Sequence, residues 1–207
     1  MARGHFQRIA AVMITVCLFF MAACVTGTSA PSRFYVLNPL AATETGTPVA
    51  PSDECIAIGI GPVELPAYLD RPEIVTRLSN NELKLADFDR WAEPLGENFT
   101  RVLAENIANL ICTEPITIFP WKSYTLVDYQ IVIEIIQMDG ELGGNTSMAA
   151  RWAILEGESK DILWTKRSSY SESAAGSGYE AFVAAQSRMV DAFSREIAET
   201  IKALPRK

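Results

Sequence analysis

Histidine is almost missing from this 207-residue chain; the single one is His5, within the first few residues. Without a histidine farther along, neither a Ser-His-Asp nor a Cys-His nucleophile can be assembled, and zinc sites built on imidazole are excluded with them. A GxSxG turn, a Walker A sequence and a CxxC pair are also lacking. Gly59-Ile60-Gly61-Pro62 has neither the third glycine nor the following helix of a dinucleotide fingerprint. Basic runs are absent, which argues against nucleic acid as a partner. Asp70, Asp87, Asp89 and Glu93 are the carboxylates from which acid/base chemistry on a glycoside would have to be built. Beside Arg71, Arg77 and Arg90 they read more simply as solvated or paired charges. These absences point to a non-enzymatic protein with no cofactor and no metal.

Long apolar runs are scarce too, with one exception at the start. Arg3 and Arg8 lead into Ile9 to Met21, and the run stops at Met21-Ala22-Ala23-Cys24. A basic lead, an apolar stretch too short to cross about 30 Å of hydrocarbon comfortably, and small residues before a cysteine make a secretory signal closed by a lipidation site. Residues 1–23 are read as the lipoprotein signal peptide, Cys24 as the lipid attachment residue, 24–32 as a lipidated tether and 33–207 as one domain. Cys17 follows bulky Val16 and is the poorer site. Met21 stands where such sites usually carry Leu, and is likewise apolar. Val25, not Asp, follows Cys24, so the expected address is the outer membrane with the folded part facing the periplasm. Cleavage removes Arg3, Arg8 and His5 but no acid, leaving 16 Lys and Arg against 25 Asp and Glu, a net charge of −9. Attachment then rests on lipid rather than on a polybasic surface.

About 184 residues remain, enough for one domain that buries about 70% of its unfolded surface. Two cysteines other than Cys24 remain, Cys55 and Cys112. In an oxidising compartment they can pair, closing a loop of about 58 residues, or stay as two separate buried thiols; the sequence leaves both open.

The apolar pattern then gives the elements. Arg33 to Leu37 is a short strand ended by Asn38-Pro39. Residues 41–53 form a Thr/Pro/Ala-rich loop. Cys55 to Val63 alternates apolar and small residues, as a strand does when one face is tightly covered. Two prolines break Leu65 to Pro72. Glu73–Leu78 and Glu82–Phe88 flank Ser79-Asn80-Asn81 as a hairpin. From Pro94 on, Leu95, Phe99, Val102, Leu103, Ile107 and Leu110 make the stripe of an amphipathic helix. Ile116–Phe119 is a short strand. Asp128–Met138, Ser147–Glu156 and Asp161–Ser171 form a meander, with its first turn at Asp139-Gly140 and Gly143-Gly144-Asn145. Tyr179 to Leu204 is a second long amphipathic helix. The order predicts an α+β single-domain sandwich, a mainly antiparallel sheet with two long helices on one face.

Two stretches look specified beyond folding: Leu65-Pro-Ala-Tyr-Leu-Asp-Arg-Pro-Glu-Ile-Val-Thr-Arg77, and Arg90-Trp-Ala-Glu-Pro-Leu95 running on to Arg101-Val-Leu-Ala-Glu-Asn-Ile107. With Tyr35-Val36-Leu37 ahead of them, the chain resembles the ABC-type transport auxiliary lipoproteins (PqiC/YmbA-like, the paraquat-inducible protein C family). The resemblance spans essentially the whole chain after the signal, with Ile107 replacing a leucine. It implies a periplasmic lipoprotein of an MCE-type lipid transport system, placed at the outer-membrane end of the conduit that MCE-domain proteins form from an inner-membrane complex. A structural lipoprotein of the envelope that handles no lipid is the alternative. Self-association into a homo-oligomer is left open. Within the motif, Tyr68, Leu69, Arg71, Arg90 and Trp91 are the candidate partner-binding residues, because Trp, Tyr and Arg anchor interfaces. The fold-supporting reading has Asp70 and Arg71 bracing the turn, Trp91 under the first helix, and Asp89 or Glu93 paired with Arg71 or Arg90.

Overall fold

The computed structural model describes residues 30–39, 55–122 and 125–204. Cys24, the signal peptide and the 41–53 loop lie outside the described residues. Eight strands and two helices follow in the order β1 (Arg33–Tyr35), β2 (Ile56–Glu64), β3 (Glu73–Ser79), β4 (Glu82–Trp91), α1 (Leu95–Leu110), β5 (Thr113–Ile118), β6 (Tyr129–Gly140), β7 (Asn145–Glu156), β8 (Ile162–Ser173) and α2 (Tyr179–Ala203). The α+β class is as the pattern predicts, but the strands divide between two sheets. One has the order β1-β4-β3 and the other β5-β2-β6-β7-β8. The antiparallel meander β6-β7-β8 carries the longest ladders, while β2 runs parallel to both of its neighbours.

Alternation decides what each strand of the large sheet buries. Ile131, Ile133 and Ile135 of β6 and Met148, Ala150, Trp152 and Ile154 of β7 point into one core. Both helices cover that face. Phe193 of α2 receives Trp152 edge-on at 5.9 Å and lies 6.3 Å from Phe99 of α1. The helices are fastened by a buried amide: Asn106 of α1 donates to Asp191 (3.0 Å) and to Ser194 (3.1 Å) of α2. Asn98 of α1 accepts from the Leu37 backbone at 2.6 Å, which holds the chain after β1 against the helix.

Strand β8 is an edge. Its inner side is fixed by Ser168, whose hydroxyl accepts the Trp152 indole N–H at 3.0 Å, and by Tyr170, which donates to Glu196 of α2. Burial pushes the Tyr170 hydroxyl's pKa up, and the neighbouring carboxylate adds to the effect. Ser168→Ala strands a buried N–H, so urea unfolding should show a loss of about 1–3 kcal/mol; a change under about 0.3 kcal/mol would mean the indole finds another acceptor.

The small residues of β2 have a definite use. A Cβ at Gly59 would sit 2.7 Å from the Trp121 ring, and Gly61 holds φ +112° with Phe119 against it. Trp121 and Phe119 meet edge to face and are the layer that covers the outer side of β2. Pro62, after a cis peptide, falls where β2 shifts register against β6, so it takes no regular place in the ladder. Cys55 and Cys112 stand just ahead of the parallel neighbours β2 and β5, 4.8 Å apart at Cα, and form a disulfide.

Candidate functional site

The loop Leu65–Pro72 leaves β2 and folds back on itself, with Leu69 N–H donating to Pro66 O at 2.9 Å and Arg71 N–H to Leu69 O at 2.9 Å. Its far end is tied to β4 because Trp91 N–H donates to Pro72 O at 2.8 Å. Leu69 (3% exposed) and Trp91 (6%) thereby enter the core. As side chains they are not available to a partner, which corrects their place among the candidate binding residues. The helix-supporting reading of Trp91 is the one its burial favours.

Tyr68 serves a buried charge. Its hydroxyl donates to Asp139 Oδ2 at 2.7 Å, and Arg77 grips the same carboxylate with Nε on Oδ1 at 2.7 Å and a second nitrogen on Oδ2 at 2.9 Å. Gln137 adds a donor at 3.0 Å. Arg77 also reaches the backbone carbonyl of Asn80 at 3.0 Å, so one guanidinium joins the β3-β4 turn to the end of β6. Burial alone would raise the Asp139 pKa, but the hydrogen bonds from Arg77, Tyr68 and Gln137 outweigh it and hold the carboxyl below its ordinary value. Burial and the carboxylate together push the Tyr68 hydroxyl up, so it stays a protonated donor. The first and last polar groups of the motif thus converge on Asp139. The sequence reading places Asp139-Gly140 in a turn; in fact β6 continues through Gly140, and the turn lies beyond it, where Glu141 N–H donates to Asn145 O at 3.0 Å. An arginine closing a strand otherwise destined for burial was the available signal that an acid must meet it.

The other expected pairings also differ. Asp89 is held by Arg33 (2.8 Å) and by the Tyr35 hydroxyl (2.7 Å), which pins β1 to β4, rather than by Arg71 or Arg90. Glu93 takes Asn98 (2.8 Å) and Arg101. Arg90, partly exposed, lies 3.7 Å from Glu73. Arg71 is partly exposed, and its Nε is buried with no hydrogen-bond partner. Of Tyr68, Leu69, Arg71, Arg90 and Trp91, the structure buries Leu69 and Trp91, commits the Tyr68 hydroxyl to Asp139 and leaves Arg71 and Arg90 partly exposed.

What the loop does build is a cleft. A cavity of about 520 Å³ opens between the end of β2, the loop, the first turn of α1 and the segment after β5, lined among others by Val63, Leu65, Asp70, Glu97, Ile118 and Phe119. Its lining is mixed, apolar side chains alternating with backbone and the acids Asp70 and Glu97; Thr100, also in the lining, spends its hydroxyl on Gly96 O at 2.7 Å. Among the described residues, no group of three His, Cys, Asp or Glu side chains is placed to hold a metal, and no helix is long and apolar enough to cross a membrane.

The fold recurs in solved structures. A protein from Xanthomonas campestris superposes with a TM-score of 0.65 at 12% identity over 82% of this chain and 94% of that one. An uncharacterised protein gives 0.65 at 17% identity over 83% and 99%. At such identities the likeness is of architecture, a two-sheet α+β unit with paired helices. No curated protein matches the sequence significantly. The family is set by the sequence itself: residues 35–198 match the model of the ABC-type transport auxiliary lipoprotein component, and the chain belongs to that family.

Proposed function

We propose that the protein is lipidated on Cys24, sits on the periplasmic face of the outer membrane, and docks the outer end of an MCE-domain conduit for lipid without catalysing a reaction. The observation that carries this reading is the family match over residues 35–198 directly behind a lipidation sequence. A conduit suits lipid chemistry, since each CH₂ crossing water uncovered costs about 0.8 kcal/mol. The docking site is the cleft of Val63, Leu65, Asp70, Glu97, Ile118 and Phe119, with Arg71 next to Asp70 in the chain; its occupant is a segment of the MCE protein that presents apolar residues beside a cation.

Two measurements test it. Fractionation should find the wild type in the outer membrane and Cys24→Ala released or unprocessed. Capture of the MCE-domain protein should weaken about tenfold when Asp70→Lys and Glu97→Lys are combined, because charge reversal adds repulsion to the lost contact. Both acids are exposed, so the melting temperature should hold. Undiminished capture would sink the cleft as the docking site.

A further inference from the structure

Exposed large apolar side chains are not spread evenly over this protein. The three-stranded sheet and its margin carry Phe34 (64% exposed), Val36, Leu78, Leu83, Leu85 and Phe88. Phe34 lies beside Arg90 in the β1-β4 pairing, and Phe88, also exposed, stands two residues before Arg90 in the stretch where β4 shifts register against β3. The opposite side is spent internally: Asp89 and Tyr35 bond each other, and Tyr35 packs 6.4 Å from Tyr179 of α2. Among the described residues, none covers Phe34, which stays 64% exposed.

Two further observations bear on what does. The chain after the signal carries a net charge of −9, yet the strands β1, β3 and β4 contain four cations and four acids, so the three-stranded sheet taken as a whole adds nothing to that negative charge. An acidic body is repelled by anionic lipid, and a neutral patch is where that repulsion is least. The second is length. Eight residues separate Cys24 from Arg33, which limits the reach from the lipidated cysteine to β1 to about 30 Å even when fully extended. With Cys24 acylated, β1 can lie no farther than that from the bilayer surface.

We propose that the Phe34–Phe88 side of the three-stranded sheet is a bilayer-contact surface, its rings inserting at the level of the lipid headgroups. The proposal rests on the anchoring at Cys24 put forward above and adds an orientation to it. In that orientation the three-stranded sheet lies on the membrane. Partly buried aromatic rings suit the interface because they add apolar contact without needing to cross it.

The test uses the full-length protein in cells. p-Benzoylphenylalanine replaces Phe34, Phe88 or, as a control on the β8 edge, Trp164; after illumination the purified protein is weighed intact, which also reads acylation of Cys24. Phospholipid adducts are expected at 34 and 88 and none at 164. Acylated protein without lipid adducts at 34 and 88, or with a protein crosslinked there instead, overturns the proposal and leaves the anchor standing. Absence of acyl mass on Cys24 removes the anchor and the proposal together. As a second measurement, the unlipidated Cys24→Ala protein is co-sedimented with vesicles of phosphatidylethanolamine and phosphatidylglycerol. Adding Phe34→Ser and Phe88→Ser should reduce its binding at least about tenfold, the factor that 1.4 kcal/mol of lost apolar contact gives; equal binding would count against the surface.

Discussion

Replacing Arg77 by methionine should cost the fold about 3 kcal/mol at neutral pH, the lower end of what breaking a buried ion pair costs. Asp139 is fully buried, and without the guanidinium its charge keeps only the Tyr68 and Gln137 donors. The methionine fills much of the stem's volume, so the loss reports charge rather than packing. The pH dependence gives the sign. In the wild type the folded carboxyl titrates below its ordinary 3.8, so its stabilisation is complete above about pH 4 and is lost as the pH falls through the folded value. In Arg77→Met the buried carboxyl prefers its proton, so the deficit against wild type should shrink as the pH is lowered toward 4. Adding Asp139→Asn should recover part of the loss at pH 7. A deficit below about 0.5 kcal/mol, or one independent of pH, would show that the pair does not hold the hairpin to β6.

The second large effect is expected from the crosslink. Cys55 and Cys112, 57 positions apart, enclose the loop, the β3-β4 hairpin and α1. Exchanging both for serine should lower the unfolding free energy by about 2–4 kcal/mol, mostly by freeing the unfolded chain. For a domain of this size that corresponds to roughly 5–15 °C in melting temperature. Reductant should bring the wild type to the same midpoint and leave the double variant unmoved. A common midpoint for the unreduced wild type and the double variant would mean that the bridge restricts little that folding does not already restrict.

Much of the fold was legible because its signals are local. The stripe from Leu95 to Leu110 and the long alternation of β6 and β7 depend on residues a few positions apart, and their limits fall within a residue or two of the pattern. Sheet membership is not local. β1 pairs with β4 across more than fifty residues, and no periodicity in Arg33–Tyr35 names its partner. The same distance hid Asp139, whose partners Tyr68 and Arg77 belong to the motif while it does not. Motif residues rich in Arg, Tyr and Trp look alike whether they serve an interface or a buried network; burial of Trp91 and Leu69, and the bond from Tyr68, separate the two.

The free edge at β8 has a bearing on how the molecule behaves in company. A twelve-residue strand paired on one side only among the described residues, with Ile162, Leu163 and Trp164 uncovered at one end, is the kind of rim on which chains stack into aggregates. Lys166 and Arg167 lie near the middle of that rim, and Arg167 stands opposite Arg151 of β7. Two such edges meeting antiparallel with Lys166 of one opposite Arg167 of the other would set cation against cation. The strand thus carries its own deterrent against copying itself, and one whose strength is tuned by salt: concentrated solutions should be clearest at low ionic strength and cloud as screening rises.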